Sequence, residues 1–569
     1  MPRDEPAIVS RRAVVGCAVA AATLVGAGAG AGAGAASAAS GRGTGSDAST
    51  AAGSPAADRT VRTPADAIVE TVSSRVRGFT RSGIYGFRGI PYGGKVAGER
   101  RFLPAAPPEP WTGIRSTLSL GPVCPEPARN WSNDEMAFIA DWNDGHPGED
   151  CLTLNVWTPS TRHSPKLPVM VWLHGGGFVT GSGHEQPAYD GTRLAARGAV
   201  VVTVTHRLGA LGFMDLSEIA GADYAGSGNV GMTDLVLALR WVKDNIANFG
   251  GDPSCVTIFG QSGGGAKVSA LMAMPVAQGL FHRGIVMSGS FAPAQPQDQA
   301  RATARAVMKR LGVSDIAGLR AVSAEALVAA GEAEAASRAS GGRSPPGLTR
   351  GALRLPRTWA PVIDGTILPD AAWEASAPAV SRTVPLMVGS VRDEFRLSSI
   401  VIDEAGLRAR LDGLYGRDKA PQVLSALRAD FPQLGANDLG GVVSGMAWRA
   451  SALHQLDLKA AQGGAPGYGY WFTYAPDLLD GRIGVPHCTD IVYAFDNCER
   501  ADQLTGNTPD ANRIAATMAD AFIRFARTGN PAGPRLPWRP HDRSVPTMVF
   551  DRSAQLIADP AARTIAYAR

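Results

Sequence analysis

Lysine is scarce in this chain of 569 residues: 7 of its 55 basic side chains are Lys and the rest are Arg. Positive charge is also nearly balanced, leaving a formal net charge of +4. So small an excess over so long a chain gives no case for a nucleic-acid partner, which would need basic residues gathered on one face. The preference for Arg, with heavy use of Ala, Gly and Pro, fits a GC-rich bacterial genome. There are only six cysteines, and none has C-x-x-C or His/Cys ligand spacing, so no structural zinc or other metal is expected. No G-K-[ST] follows any glycine-rich stretch, which excludes a phosphate cradle of that type. Beyond the N-terminal region no run is long and apolar enough to span a bilayer. Charged residues at 19% and apolar residues at 45% exclude a wholly disordered or fibrous chain. What the chain has in plenty is glycine, 68 residues, and their positions carry the argument below.

Residues 1–38 read as an export signal. Ser10-Arg11-Arg12 opens a short basic stretch, an apolar run follows over 13–36, and Ala36-Ser37-Ala38 has the small residues of a cleavage site. The paired arginines resemble a twin-arginine signal. Its apolar run is dominated by Gly and Ala, which gain little from leaving water, so a stable membrane anchor is not expected. Residues 39–63 are rich in Ser, Gly, Ala and Thr and read as a flexible linker. The remaining 64–569 shows no internal linker and reads as one domain. The mature protein is expected to be secreted.

Short β-branched runs bounded by glycine, Leu167–Leu173 and Val200–Val204, look like strands buried on both faces. Residues 232–249 carry apolar side chains at helical spacing. A strand over 256–259, a helix over 263–274 and a strand over 386–389 follow. Strands alternating with helices indicate an α/β protein with a large, mostly parallel central sheet flanked by helices. Residues 64–120 read as an edge meander. Residues 331–351, small and polar with Pro345-Pro346, read as a surface loop or lid.

Gly260-Gln261-Ser262-Gly263-Gly264 fits G-x-S-x-G between a strand and a helix, the context of a nucleophile elbow. There the serine sits on a sharp, strained turn at a helix N-terminus, where the dipole favours developing negative charge. Upstream, His174-Gly175-Gly176-Gly177 follows the earlier buried strand. Consecutive glycines let backbone N–H groups converge on one point, so the amides of Gly176, Gly177 and Gly263 are the candidate oxyanion donors. His174 is expected to orient this loop. A serine nucleophile needs a histidine to take its proton. With chain order Ser, acid, His, the choice lies among His282, His454, His487 and His541. His282 leaves no room for an acid, His454 falls in a helical pattern, and His541 is in a Pro-rich stretch expected to be exposed. His487, in a loop before the apolar stretch 491–495, is the candidate base. Asp393 and Glu394 follow the strand over 386–389, at the functional edge of an open α/β sheet; spacing does not choose between them.

With these motifs stand Phe87-Arg88-Gly89-Ile90-Pro91-Tyr92, Arg101-Phe102, residues 108–113, Glu149-Asp150-Cys151-Leu152-Thr153-Leu154-Asn155-Val156-Trp157, Arg207-Leu208-Gly209 and Phe249-Gly250-Gly251-Asp252-Pro253. Taken in this order over nearly the whole mature chain, they resemble the type-B carboxylesterase and cholinesterase family of α/β-hydrolases. The resemblance implies that fold, with helical and loop insertions, and hydrolysis of small carboxylic esters without cofactor. It selects Glu394 over Asp393, so the implied triad is Ser262, Glu394 and His487. It also implies a disulfide between Cys124 and Cys151, 27 residues apart. Two positions depart from the family. Cholinesterases carry a glutamate before the nucleophile that helps hold a quaternary ammonium; here stands neutral Gln261, so attraction for a cation is weakened. Cys488 replaces the glycine common after the histidine. A cholinesterase-like aromatic wall would have to come from Trp142. A broad carboxylesterase is therefore expected, with a lipase or amidase as alternatives on the same triad, and a non-catalytic binding protein as the contrasting reading.

Overall fold

The computed structural model describes residues 60–128, 138–139, 142, 145–163, 166–291, 294–340, 347–349, 352–354, 358–396 and 401–569. The expected export signal and most of the expected linker lie outside the described residues. Eleven strands form the central sheet. In chain order they are β1 (Phe79–Arg81), β2 (Ile84–Pro91), β3 (Thr153–Thr158), β4 (Leu167–Leu173), β5 (Val200–Val204), β6 (Gly251–Gln261), β7 (Arg283–Met287), β8 (Leu386–Val391), β9 (Gly467–Phe472), β10 (Pro546–Phe550) and β11 (Ala554–Ala558). Their spatial order is β11-β10-β9-β8-β7-β6-β4-β5-β3-β2-β1. From β5 across to β10 every neighbouring pair is parallel; the strands added at either edge are antiparallel. The expected edge meander is present as β1 and β2, with a small separate sheet of Ile68–Thr71, Ser74–Arg77 and Ile114–Ser116 beside it.

The continuous apolar runs have a plain cause. Alternate residues of a strand face opposite sides of the sheet, and here both sides are covered. Val169, Val171, Val200, Val202, Val286 and Val388 join one core, with Leu235 and Leu239 of the helix Val230–Asn245 and Val268 of the helix Gly263–Leu271. Met170, Trp172, Val201, Ile285 and Met387 join a second core, with Met518, Phe522 and Phe525 of the helix Pro509–Thr528. Burying each such side chain stabilises the fold by roughly 1.5–3 kcal/mol before entropy is counted. The last helix shows how local sequence sets its ends. Thr508 accepts the N–H of Ala511 at 3.1 Å, Pro509 opens the first turn, and Gly529 at φ +79° closes it.

Several motif residues find their partners inside. Arg101 holds Glu149 through two hydrogen bonds of 2.5 and 2.8 Å, and fully buried Arg207 holds Asp234 at 2.7 and 2.8 Å. Two expectations are corrected. Residues 331–340 are the second half of the helix Ala324–Ser340, not a surface loop or lid; its alanine-rich composition favours helix over the loop that its small polar residues suggested. Cys124 and Cys151 are both buried and not bonded to each other, so the expected disulfide is not seen; Cys124 Sγ accepts the Leu208 N–H at 3.2 Å. Packing sets where the two thiols sit, whereas closing the bond is a matter of redox. Cys488 and Cys498 are likewise free, as is Cys255, which is partly buried. Among the described residues no helix is long and apolar enough to cross a membrane.

Candidate active site

β6 ends at Gln261 and the helix Gly263–Leu271 begins two residues later, so Ser262 must turn the chain between them. It does so at φ +56° and ψ −123°, a region costing a non-glycine residue on the order of 1–3 kcal/mol. The Ser262 N–H, bonded to the Met287 carbonyl at 2.8 Å, anchors the strained residue to β7. The turn is possible only because its flanks are bare. A Cβ on Gly264 would lie 2.0 Å from the Leu173 carbonyl oxygen, and one on Gly260 would lie 2.5 Å from Gly264 itself. Among the described residues the Ser262 hydroxyl has no hydrogen-bond partner.

The loops after β8 and before the helix Thr489–Ala494 zip together. Glu394 bridges Pro486, and the His487 N–H donates to the Glu394 carbonyl at 2.8 Å. This places Glu394 Oε2 2.5 Å from His487 Nδ1. The other carboxylate oxygen accepts Ser288 Oγ–H at 2.7 Å and the Val391 N–H at 3.1 Å. The carboxylate is thus fully engaged, and the ring is fixed in orientation with Nδ1 toward it. Neighbouring Asp393 faces elsewhere. Wholly buried, it accepts from Arg392 at 2.6 and 2.8 Å, from Arg396 at 3.4 Å and from the Val485 N–H at 2.9 Å. The geometry separates the two neighbours that spacing could not.

The glycine loop lies directly against the elbow. A Cβ on Gly175 would sit 3.7 Å from Ser262 Cβ, and Gly263 approaches the backbone of Gly177 so closely that no Cβ fits between them. Gly176 and Gly177 adopt φ +75° and +67°. Among the described residues the N–H groups of Gly176, Gly177 and Gly263 have no protein acceptor. His174 is buried, and its Nδ1–H donates to the Gly175 carbonyl at 3.1 Å.

The other histidines take structural places. His282 Nδ1 accepts the Val256 N–H at 3.2 Å, and His454 Nε2 donates to the Glu374 carbonyl at 3.1 Å. His541, expected to be exposed, is buried instead and pairs with Asp457 at 2.8 Å; the Pro-rich segment leading into β10 runs against the start of β9, where the His541 N–H donates to the Gly467 carbonyl at 2.7 Å. Of the neighbours, Gln261, Cys488 and Trp142 were singled out in the sequence, whereas Phe395, Trp448 and Ser288 were not. Gln261 is fully buried, with its amide nitrogen 3.2 and 3.4 Å from the two His487 ring nitrogens, while its Oε1 accepts the Cys488 thiol at 3.2 Å. Phe395 stacks on the His487 ring at 4.5 Å and Trp448 lies at 5.1 Å. Trp142 lines a small, mostly apolar cavity with His487 and Cys488. Ser288 had the same signal as the triad loops, a polar residue at the carboxyl end of a parallel strand; the aromatic neighbours had none.

A serine on a strained turn, a histidine bonded to a carboxylate, and amides without a protein acceptor among the described residues are groups that could together serve acyl transfer. Comparison with known proteins points the same way. Residues 65–563 match the model of the carboxylesterase family. The chain is 32% identical over 510 residues to para-nitrobenzyl esterase of Bacillus subtilis (strain 168), covering 87% of this chain and 96% of that protein. It is 33% identical over 497 residues to liver carboxylesterase of Sus scrofa, covering 80% and 83%. An esterase of Clostridium hathewayi, described as able to hydrolyse aliphatic aromatic polyesters, superposes with a TM-score of 0.75 at 33% identity over 90% of this chain and 99% of that one. The chain belongs to the carboxylesterase family: it is a carboxylic ester hydrolase on the α/β-hydrolase fold.

Proposed function

We propose that this enzyme is a secreted serine carboxylesterase in which Ser262 is the nucleophile, His487 the general base and Glu394 the residue that orients it. The observation that carries the reading is the 2.5 Å contact between Glu394 Oε2 and His487 Nδ1. It leaves Nε2 as the ring's proton acceptor. In the resting structure Nε2 faces the Gln261 amide at 3.2 Å. The reaction requires it to exchange that contact for the Ser262 hydroxyl, a tightening of the kind that accompanies substrate binding. Ser262 Oγ then attacks the ester carbonyl as His487 takes its proton. The oxyanion is received by the amides of Gly176, Gly177 and Gly263. His487 returns the proton to the departing alcohol, and water repeats the sequence on the acyl-enzyme. Phe395, Trp448 and Phe291, which packs on Trp448 at 5.8 Å, make an apolar wall beside the histidine. With Gln261 neutral, that wall favours uncharged esters of broad type over choline esters. Secretion rests on the residues of the N-terminal signal, with the twin-arginine route as the reading of Arg11-Arg12.

The test is hydrolysis of a short p-nitrophenyl ester together with labelling by a fluorophosphonate. Ser262→Ala should lose activity by at least about a thousand-fold and take up no label. Full activity in that variant removes Ser262 as nucleophile.

A further inference from the structure

Two of the few lysines are fully buried, Lys267 and Lys459. A lysine is almost never fully buried unless its donors are satisfied, so what each one holds is informative. Lys267 lies on the helix that leaves Ser262, and its Nζ donates to the carbonyls of His174 at 3.0 Å and Gly175 at 3.4 Å. It also lies over the Phe178 ring, 5.9 Å from the centroid, just past the glycine loop. The Gly175 carbonyl receives a second donor, His174 Nδ1–H at 3.1 Å.

The consequence follows from the planarity of the peptide. Among the described residues no peptide is cis. In a trans unit the carbonyl of one residue and the N–H of the next point in opposite directions from one rigid plane. Gripping the Gly175 carbonyl therefore aims the Gly176 N–H away from Lys267, and that N–H has no protein acceptor among the described residues. Gripping the His174 carbonyl fixes the preceding plane. A loop of three glycines has wide backbone freedom, so its donors need such an external hold to stay aimed. We propose that Lys267 is the positioning residue of the oxyanion site, clamping the glycine loop to the nucleophile helix so that one element carries both Ser262 and the hold on its oxyanion donors. This rests on the role proposed above for Ser262 and the Gly176 amide.

The test compares Lys267→Met with wild type, and with Lys459→Met as control. Lys459 is also buried and also holds two carbonyls, those of Ser381 and Arg382, but on another helix. For Lys267→Met, kcat should fall about ten- to a hundred-fold with KM within about threefold, less than the loss of a donor itself. Affinity for a trifluoromethyl ketone, which forms an oxyanion adduct with the serine, should fall by a similar factor. Affinity for the matching methyl ketone should not change. The carbonyl stretch of the trapped acyl-enzyme should move to higher wavenumber as its hydrogen bonds loosen. Lys459→Met should lower the melting temperature with kcat unchanged. A folded Lys267→Met with kcat within twofold of wild type, or with both ketones weakened equally, overturns the proposal. If Lys267→Met does not fold, the structure of the wild-type trifluoromethyl ketone adduct decides. The Gly176 N–H should meet the oxyanion while Nζ stays on the Gly175 carbonyl, and any other arrangement overturns the proposal. Wild-type enzyme that forms no adduct at Ser262 refutes the nucleophile instead, so the two failures are distinguishable.

Discussion

At the scale of single residues, adjacent carboxylates in one loop face different partners because one backbone turn separates their directions. Glu394, at φ +51°, meets His487, whereas Asp393 is enclosed by Arg392 and Arg396. Glu394→Gln should reduce kcat at least about a hundred-fold with little change in melting temperature, since the amide no longer stabilises an imidazolium. Asp393→Asn should do the reverse. It removes the closest countercharge of Arg392 and leaves Arg396 with only Asp438, at 2.8 Å, a loss of about 3 kcal/mol, while folded protein keeps kcat within a few-fold. Side-by-side kinetics and urea titrations check this, and equal kinetic losses would refute the division. A third carboxyl, Asp490, accepts the Tyr470 hydroxyl at 2.7 Å. Burial above all, aided by the charge of Glu394, pushes its pKa from 3.8 up to about 7. The folded state therefore holds this proton more tightly than the unfolded chain does. The resulting stability is fully present below about pH 4 and is lost as pH rises through 7. Asp490→Asn, neutral throughout, should gain melting temperature over wild type at pH 8.5 and little at pH 5. The difference is bounded by about 4 kcal/mol, and an equal shift at both pH values would contradict it.

At the scale of elements, the elbow was legible because its demand is local. A strand, a positive-φ serine and a helix in succession require glycine where neighbours press closest, and Gly260 and Gly264 stand there. Gly264→Ala should cost about 3 kcal/mol or more, read as a lower urea midpoint, and an unchanged midpoint would show that the elbow can relax. The glycine loop was legible for the same reason. The hold exerted on it by Lys267 was not, because the contact spans more than ninety residues. Residues 331–340 misled in the opposite way: their small polar composition resembles a loop, yet they continue a helix that packs through Leu327 and Ala330.

At the scale of the whole molecule, one broad sheet with a large core on each face organises the described residues. The N-terminal signal makes its own prediction. Full-length protein expressed in a bacterium with the twin-arginine route should be recovered outside the cytoplasm with its N-terminus close to Ala38. Replacing Arg11 and Arg12 with Lys should retain it in the cell, and unchanged export would exclude that route. The order of the residues was enough to establish the alternation of strand and helix, the family, the elbow and the glycine loop, because each is enforced by backbone geometry within a few residues. Folding was needed to bring Glu394 rather than Asp393 onto His487, to set Ser288 and Gln261 beside that pair, to bury His541 and to set Lys267 on the glycine loop. These depend on which loops the parallel sheet brings to one edge, and spacing along the chain carries no record of that.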